Sequence, residues 1–129
     1  MRLSVTTLSA RTLVIEDDPG DGRLFRLSLS GLPGRPRQEI RLDHGDASAL
    51  ADGILAEPPR GRVRTPGGGQ VGISGVPAAG AAELLIAGEG QRGIRPRCER
   101  VPLIPARNLA ARLREELAAR QGRDGKDGT

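Results

Sequence analysis

Ile40-Arg41-Leu42-Asp43-His44-Gly45-Asp46-Ala47-Ser48-Ala49-Leu50-Ala51-Asp52-Gly53-Ile54-Leu55 decides the fold, because the chain carries a second version of it. That version is Val101-Pro102-Leu103 followed by Ala106-Arg107-Asn108-Leu109-Ala110-Ala111-Arg112-Leu113. Each time a short apolar strand runs into a stripe of Ala, Leu-Ala and a large aliphatic residue, at spacings of three and four. An α-helix gathers such a stripe on one face. Strand-and-turn sequence of similar length precedes each copy. The expectation is an α+β chain of two-layer, tandem ββββα-like units, an antiparallel sheet packed by two helices at about 43–57 and 105–121. Residues 1–57 and 60–121 form units sharing one core, and 122–129 form a disordered tail.

In the first unit Leu3, Val5 and Thr7 alternate with Arg2, Ser4 and Thr6, the period of a half-buried strand. Leu13-Val14-Ile15 is a second strand, closed by the turn formers Asp17-Asp18-Pro19-Gly20-Asp21-Gly22. Phe25, Leu27 and Leu29 alternate with Arg26, Ser28 and Ser30, and a Gly/Pro turn leads to Gln38–Leu42. Asp43 or Asp46 caps the first helix, Gly53 weakens it by about 1 kcal/mol relative to Ala, and Pro58-Pro59 stops it. In the second unit Arg60–Arg64 and Gln70–Ser74 flank a turn at Thr65–Gly69. Gly75–Ala82 has no readable period, Glu83–Ala87 fits strand or helix, and Gly93–Leu103 is extended. The last helix opens near Pro105, buries Ala106, Leu109, Ala110, Leu113 and Leu117, and ends at Gly122.

Only 30 of the 129 residues are Leu, Ile, Val or Phe, and Phe25 is the one ring, so the core is thin and aliphatic. That fraction stands just above the level of about 20% below which chains tend to disorder. The strong periodicity argues for folding. A lone Cys98 excludes an internal disulfide and fits a reducing compartment. With no apolar run long enough for a membrane span and no signal peptide, the expectation is a soluble cytoplasmic protein without membrane contact.

The cationic side is 19 Arg and one Lys, a bias that a GC-rich genome writes anywhere. Its distribution carries more: residues 1–57 sum to −2 and residues 58–129 to +6. Arg60, Arg62 and Arg64 alternate with Gly61 and Val63, so one strand face presents all three guanidinium groups. Arg95 and Arg97 alternate in the same way, with Arg92, Arg100 and Arg107 near. If these strands share a sheet, Arg60, Arg62, Arg64, Arg92, Arg95, Arg97 and Arg100 make a basic face suited to phosphate oxygens. A solvated strand face in an Arg-biased chain fits the same residues. With a single ring for base stacking, nucleic-acid contact would be backbone-driven and weak in sequence preference.

Catalytic sets are absent from the sequence, which leads to the expectation of a non-enzymatic protein without cofactor or metal. His44 is the only histidine and no Gly-x-Ser-x-Gly elbow accompanies it, so it reads as an exposed first-turn residue. Thr65-Pro66-Gly67-Gly68-Gly69-Gln70 lacks the Lys and following helix of a phosphate loop and reads as a tight turn. Cys98, between Arg97 and Arg100, reads as a half-buried strand cysteine, with a reactive thiolate as the sharper alternative.

Two resemblances bear on function. Leu13–Leu29 resembles the opening of a response-regulator receiver domain, where an acidic cluster after an apolar strand binds Mg²⁺. The phosphoacceptor Asp and the Lys which that family needs have no counterparts, so Asp17, Asp18 and Asp21 read as a hairpin turn. The order of strands and helices resembles the tandem units of PUR and whirly proteins, and that layout implies single-stranded nucleic acid as partner. The readings carried forward are a small binding module for nucleic-acid phosphates and, as the alternative, a protein-interaction adaptor or homodimer.

Overall fold

The computed structural model describes residues 1–30, 38–89 and 96–127, with side chains as far as Gln121. Strands β1 (Arg2–Thr6), β2 (Thr12–Asp17), β3 (Phe25–Ser30) and β4 (Gln38–Leu42) form one antiparallel sheet in the order β1-β2-β3-β4. Helix α1 (His44–Leu55) follows. Strands β5 (Arg60–Arg64), β6 (Gln70–Val76), β7 (Ala81–Ala87) and β8 (Arg97–Pro102) form a second antiparallel sheet, order β5-β6-β7-β8, and helix α2 (Leu103–Asp127) follows it. The molecule is thus α+β, with two similar sheet–helix units.

Alternation along the strands sets which side faces the interior. Leu3 and Val5 of β1 and Phe25, Leu27 and Leu29 of β3 are buried, while Arg2, Ser4 and Thr6 are exposed. In α1 the expected stripe of Ala47, Leu50, Ala51 and Ile54 is buried, and in α2 so are Ala106, Leu109, Ala110, Leu113 and Leu117. Residues of both sheets and both helices join one hydrophobic cluster. Helix α1 packs against β5 and α2, and α2 also packs against β1. A capping box starts α1: the Asp43 carboxylate accepts from the Asp46 N–H at 2.7 Å, and the Asp46 carboxylate accepts from the Asp43 N–H at 3.2 Å.

Gly53 has a packing reason that its poor helix propensity conceals. A Cβ there would lie 2.6 Å from the carbonyl oxygen of Arg60 and 2.6 Å from Cδ1 of Ile73. Only glycine lets α1 cross β5 this closely.

The likeness of the units extends to their first turns. Thr7 N–H donates to the Arg11 carbonyl at 2.8 Å, and Thr65 N–H donates to that of Gly69 at 2.9 Å. The Thr7 hydroxyl accepts from Arg11 N–H at 3.1 Å, as the Thr65 hydroxyl does from Gly69 N–H at 3.0 Å. The fourth residue of each turn has positive φ, 63° at Ala10 and 91° at Gly68.

Several expectations need correction. Opposite Leu27 of β3 lies Ile40, and opposite the matching Leu84 of β7 lies Glu99; likewise Leu42 faces Phe25 where Val101 faces Ala82. Ile40 therefore corresponds to Glu99, and pairing it with Val101 misaligns the strands by two residues although the helix stripes align correctly. Leu103 opens α2 instead of closing a strand, and α2 continues past Gly122 to Asp127. Helix α1 stops at Leu55, where Ala56 turns to extended backbone (ψ 154°), two residues before the expected end. Glu83–Ala87 is strand, and the unreadable 75–82 stretch holds the end of β6, a 3₁₀ turn at Pro77–Ala79 and Gly80 at φ 60°. Of the expected extended segment 93–103, residues 93–95 lie outside the described residues, and β8 begins at Arg97.

Candidate nucleic-acid interface

Strands β5 and β8 are the two edges of the second sheet, so the arginines of both do lie in one sheet. On the outer face, register stacks side chains in rows across it. One row runs Arg60, Ser74, Glu83, Arg100; the next runs Arg62, Gly72, Leu85, Cys98; the third begins Arg64, Gln70, Ala87. The three β5 arginines are exposed and, among the described residues, none forms an ion pair. Their side chains repeat every second residue, about 6.7 Å apart. Arg100 shares their face and lies 3.9 Å from Glu83, an exposed pair that contributes little. Arg97 does not share it: it lies opposite the buried Ile86, on the other side of the sheet. Arg92 and Arg95 lie outside the described residues.

Between the two edges the floor is low. Gly72 and Ser74 of β6 separate the β5 arginines from Leu85, a large aliphatic side chain that is 48% exposed. The face therefore has a cationic rail, a shallow trough and an apolar ridge. Charge on β5 also discourages edge-to-edge pairing with another chain, a structural role the same residues serve.

Cys98 stands on this face and is exposed, which corrects the half-buried expectation. Its thiol donates to a Glu83 carboxylate oxygen at 2.5 Å. That hydrogen bond, together with burial and the Glu83 charge, pushes the thiol up to about 11 against the weaker opposing effect of Arg100. Arg97, invoked for a thiolate, points to the other side. Cys98 is a thiol at neutral pH.

The remaining candidates serve the fold. Asp18 is buried and its carboxylate accepts from the N–H groups of Gly20 at 3.1 Å and Asp21 at 3.0 Å, closing the turn. Asp17 binds the N-terminal ammonium at 2.9 Å and Arg120, whose guanidinium also lies 4.4 Å from the Phe25 centroid. Burial would raise the Asp17 carboxyl, but these two cations outweigh it and hold it below its ordinary value. His44 is half-buried, with Nε2 3.4 Å from the Leu117 carbonyl oxygen. Thr65–Gly69 is a tight turn whose Thr65 hydroxyl donates to Glu89 at 3.0 Å. Among the described residues no cluster of three or more His, Cys, Asp or Glu could hold a metal, and no helix is long and apolar enough to cross a membrane.

One charged residue escaped the sequence reading. Glu99 takes the core-facing place that Ile40 has in the first sheet, and it is buried. Arg11 and Ser9 from the β1–β2 turn both donate to it, Ser9 at 2.6 Å, while Leu8 N–H donates to the Arg100 carbonyl at 2.8 Å. Burial would raise the Glu99 carboxyl, yet the Ser9 and Arg11 donors hold it below its ordinary value. This buried pair ties the first turn of one unit to the last strand of the other.

Comparisons with protein-family models, curated proteins and solved structures return no match for this chain. Function is therefore read from the residues themselves.

Proposed function

We propose that the chain is a non-enzymatic binding module of the reducing cytoplasm, whose second sheet contacts nucleic-acid phosphates through its outer face. In this reading the units form a two-layer tandem ββββα arrangement that leaves that face open to solvent. The observation that carries it is the row of Arg60, Arg62 and Arg64, exposed and free of carboxylate partners among the described residues, with Arg100 on the same face. No carboxylate among the described residues uses these three charges, and their spacing suits successive phosphates along an extended backbone. Arg offers each phosphate two parallel donors.

The test is fluorescence anisotropy of a labelled oligonucleotide across a salt series, with wild type and the Arg60→Gln/Arg62→Gln/Arg64→Gln variant. Each lost phosphate contact removes roughly 0.7–0.9 from the slope of log affinity against log salt, so the variant should flatten it by roughly 2–3. Unchanged affinity and slope reject the proposal. Protein association is the second reading, favoured by Leu8, Leu85 and Ile104, which are 57%, 48% and 74% exposed. Light scattering at low and high salt tests self-association, and a monomer at both removes the homodimer.

A further inference from the structure

We infer that a cavity between β1 and α2 is a binding site for a small carboxylate with an apolar body. The cavity measures about 240 Å³ and is lined by Leu3, Ser4, Pro105, Asn108, Leu109 and Arg112. Its floor is apolar, with Leu3 and Leu109 both buried. Its rim carries donors from α2, the Asn108 amide and the Arg112 guanidinium, both on exposed residues. No carboxylate lines it, and among the described residues neither of these two side chains has a hydrogen-bond or ion-pair partner.

The first helix shows that the fold does not demand this opening. Matching the buried stripes, Ala47 with Ala106 and Ile54 with Leu113, sets Asn108 against Ala49 and Arg112 against Gly53. Matching the first turns sets Leu3 against Gly61. Where α1 meets β5, Gly53 and Gly61 bring helix and strand together and the crossing is closed. Where α2 meets β1, the same places hold Arg112 and Leu3, and a cavity remains. Asn108 and Arg112 are four residues apart, so one helical face presents both over the opening. A planar guanidinium grips a carboxylate through two parallel hydrogen bonds, and the Asn108 amide adds a further donor. Leu3, Leu109 and Pro105 then cover a short aliphatic tail.

The test is an amide-proton NMR titration of the full chain with isovalerate, using isovaleramide and inorganic phosphate as controls. Saturable shifts at Leu3, Asn108 and Leu109 are expected with isovalerate at millimolar concentrations. Isovaleramide lacks the charge and phosphate lacks the tail, so both should bind more weakly. Arg112→Gln keeps the helix and should lower isovalerate affinity about tenfold. The inference is overturned if isovalerate gives no saturable shift at these residues, if either control binds as tightly, or if Arg112→Gln binds like wild type. It stands apart from the arginine face: oligonucleotide binding bears on one site and isovalerate on the other.

Discussion

Arg11→Ala and Glu99→Ile remove opposite ends of one ion pair and should have opposite consequences. The Glu99 side chain is 2% exposed and that of Arg11 27%. Without Arg11 the carboxylate stays buried with its positive partner gone. Breaking a buried pair from one side costs about 3–5 kcal/mol, and the remaining Ser9 donor sets the expectation near the lower end. Glu99→Ile instead removes the buried charge and leaves a cation that can turn to water. It introduces the residue that the first sheet already carries at the corresponding place, Ile40, which is fully buried. Aliphatic burial contributes about 1.5–3 kcal/mol, and the lost hydrogen bonds cost about 1 kcal/mol each, so this variant should stay within about 1 kcal/mol of wild type. Urea unfolding with m unchanged measures both: the Arg11→Ala midpoint should fall by on the order of 1–2 M, and that of Glu99→Ile should scarcely move. The pH dependence supplies a second reading of the same pair. The Glu99 carboxyl is held below its ordinary 4.5, so its contribution is complete above that pH and is lost as pH falls through the folded-state value. Glu99→Ile should lack this part of the acid sensitivity. A Glu99→Ile loss as large as that of Arg11→Ala would refute the correspondence between Ile40 and Glu99.

Three further outcomes follow from the packing. Gly53→Ala gains about 1 kcal/mol in helix propensity, yet its Cβ would meet a backbone carbonyl and a methyl at 2.6 Å; a net loss of about 1–2 kcal/mol is expected, and a raised melting temperature would contradict it. Ala10 holds φ 63° in the turn where its counterpart is Gly68, so Ala10→Gly should raise stability by about 0.5–1 kcal/mol, read by urea midpoint. The Cys98 thiol, pushed up to about 11 chiefly by its bond to Glu83, should resist iodoacetamide at neutral pH, and Glu83→Gln should speed alkylation several-fold. Equal rates in the two proteins would remove Glu83 as the cause.

Much of the framework was legible because burial imposes period. The stripes of both helices and the alternating Phe25, Leu27 and Leu29 are core in the structure as they are in the pattern. The strand correspondence of the two units is hidden at one place because Glu99 breaks the apolar code: a charge in a core-facing position has the pattern of an outward residue, and Val101 two residues on is the nearer apolar match to Ile40. Leu84-Leu85-Ile86 was ambiguous for the converse reason, since Leu85 is an aliphatic residue on the outer face. At the candidate face, Arg60, Arg62 and Arg64 could be grouped because one strand carries them all. Of the β8 arginines expected there, Arg100 shares the face and Arg97 does not, because the register of β8 against β7 sets which of them faces outward, and that register is a long-range property no local period contains.

The two units act as controls for one another. Where both need the same geometry they keep the same chemistry, as in the Thr-led turns and the helix stripes. Where they differ, the partner unit shows that the framework can form without the feature. The β1 face carries Arg2, Ser4 and Thr6 where β5 carries Arg60, Arg62 and Arg64, so three arginines in a row are not a requirement of a first strand. Asn108 and Arg112 occupy places that α1 fills with Ala49 and Gly53. Glu99 differs from Ile40 too, but it finds its partners within the chain, in Ser9 and Arg11. That separates the three cases. A divergent charge satisfied internally is a joint between the units, whereas divergent donors turned to solvent with nothing to bind in the described chain are what the two proposals of an external anion rest on.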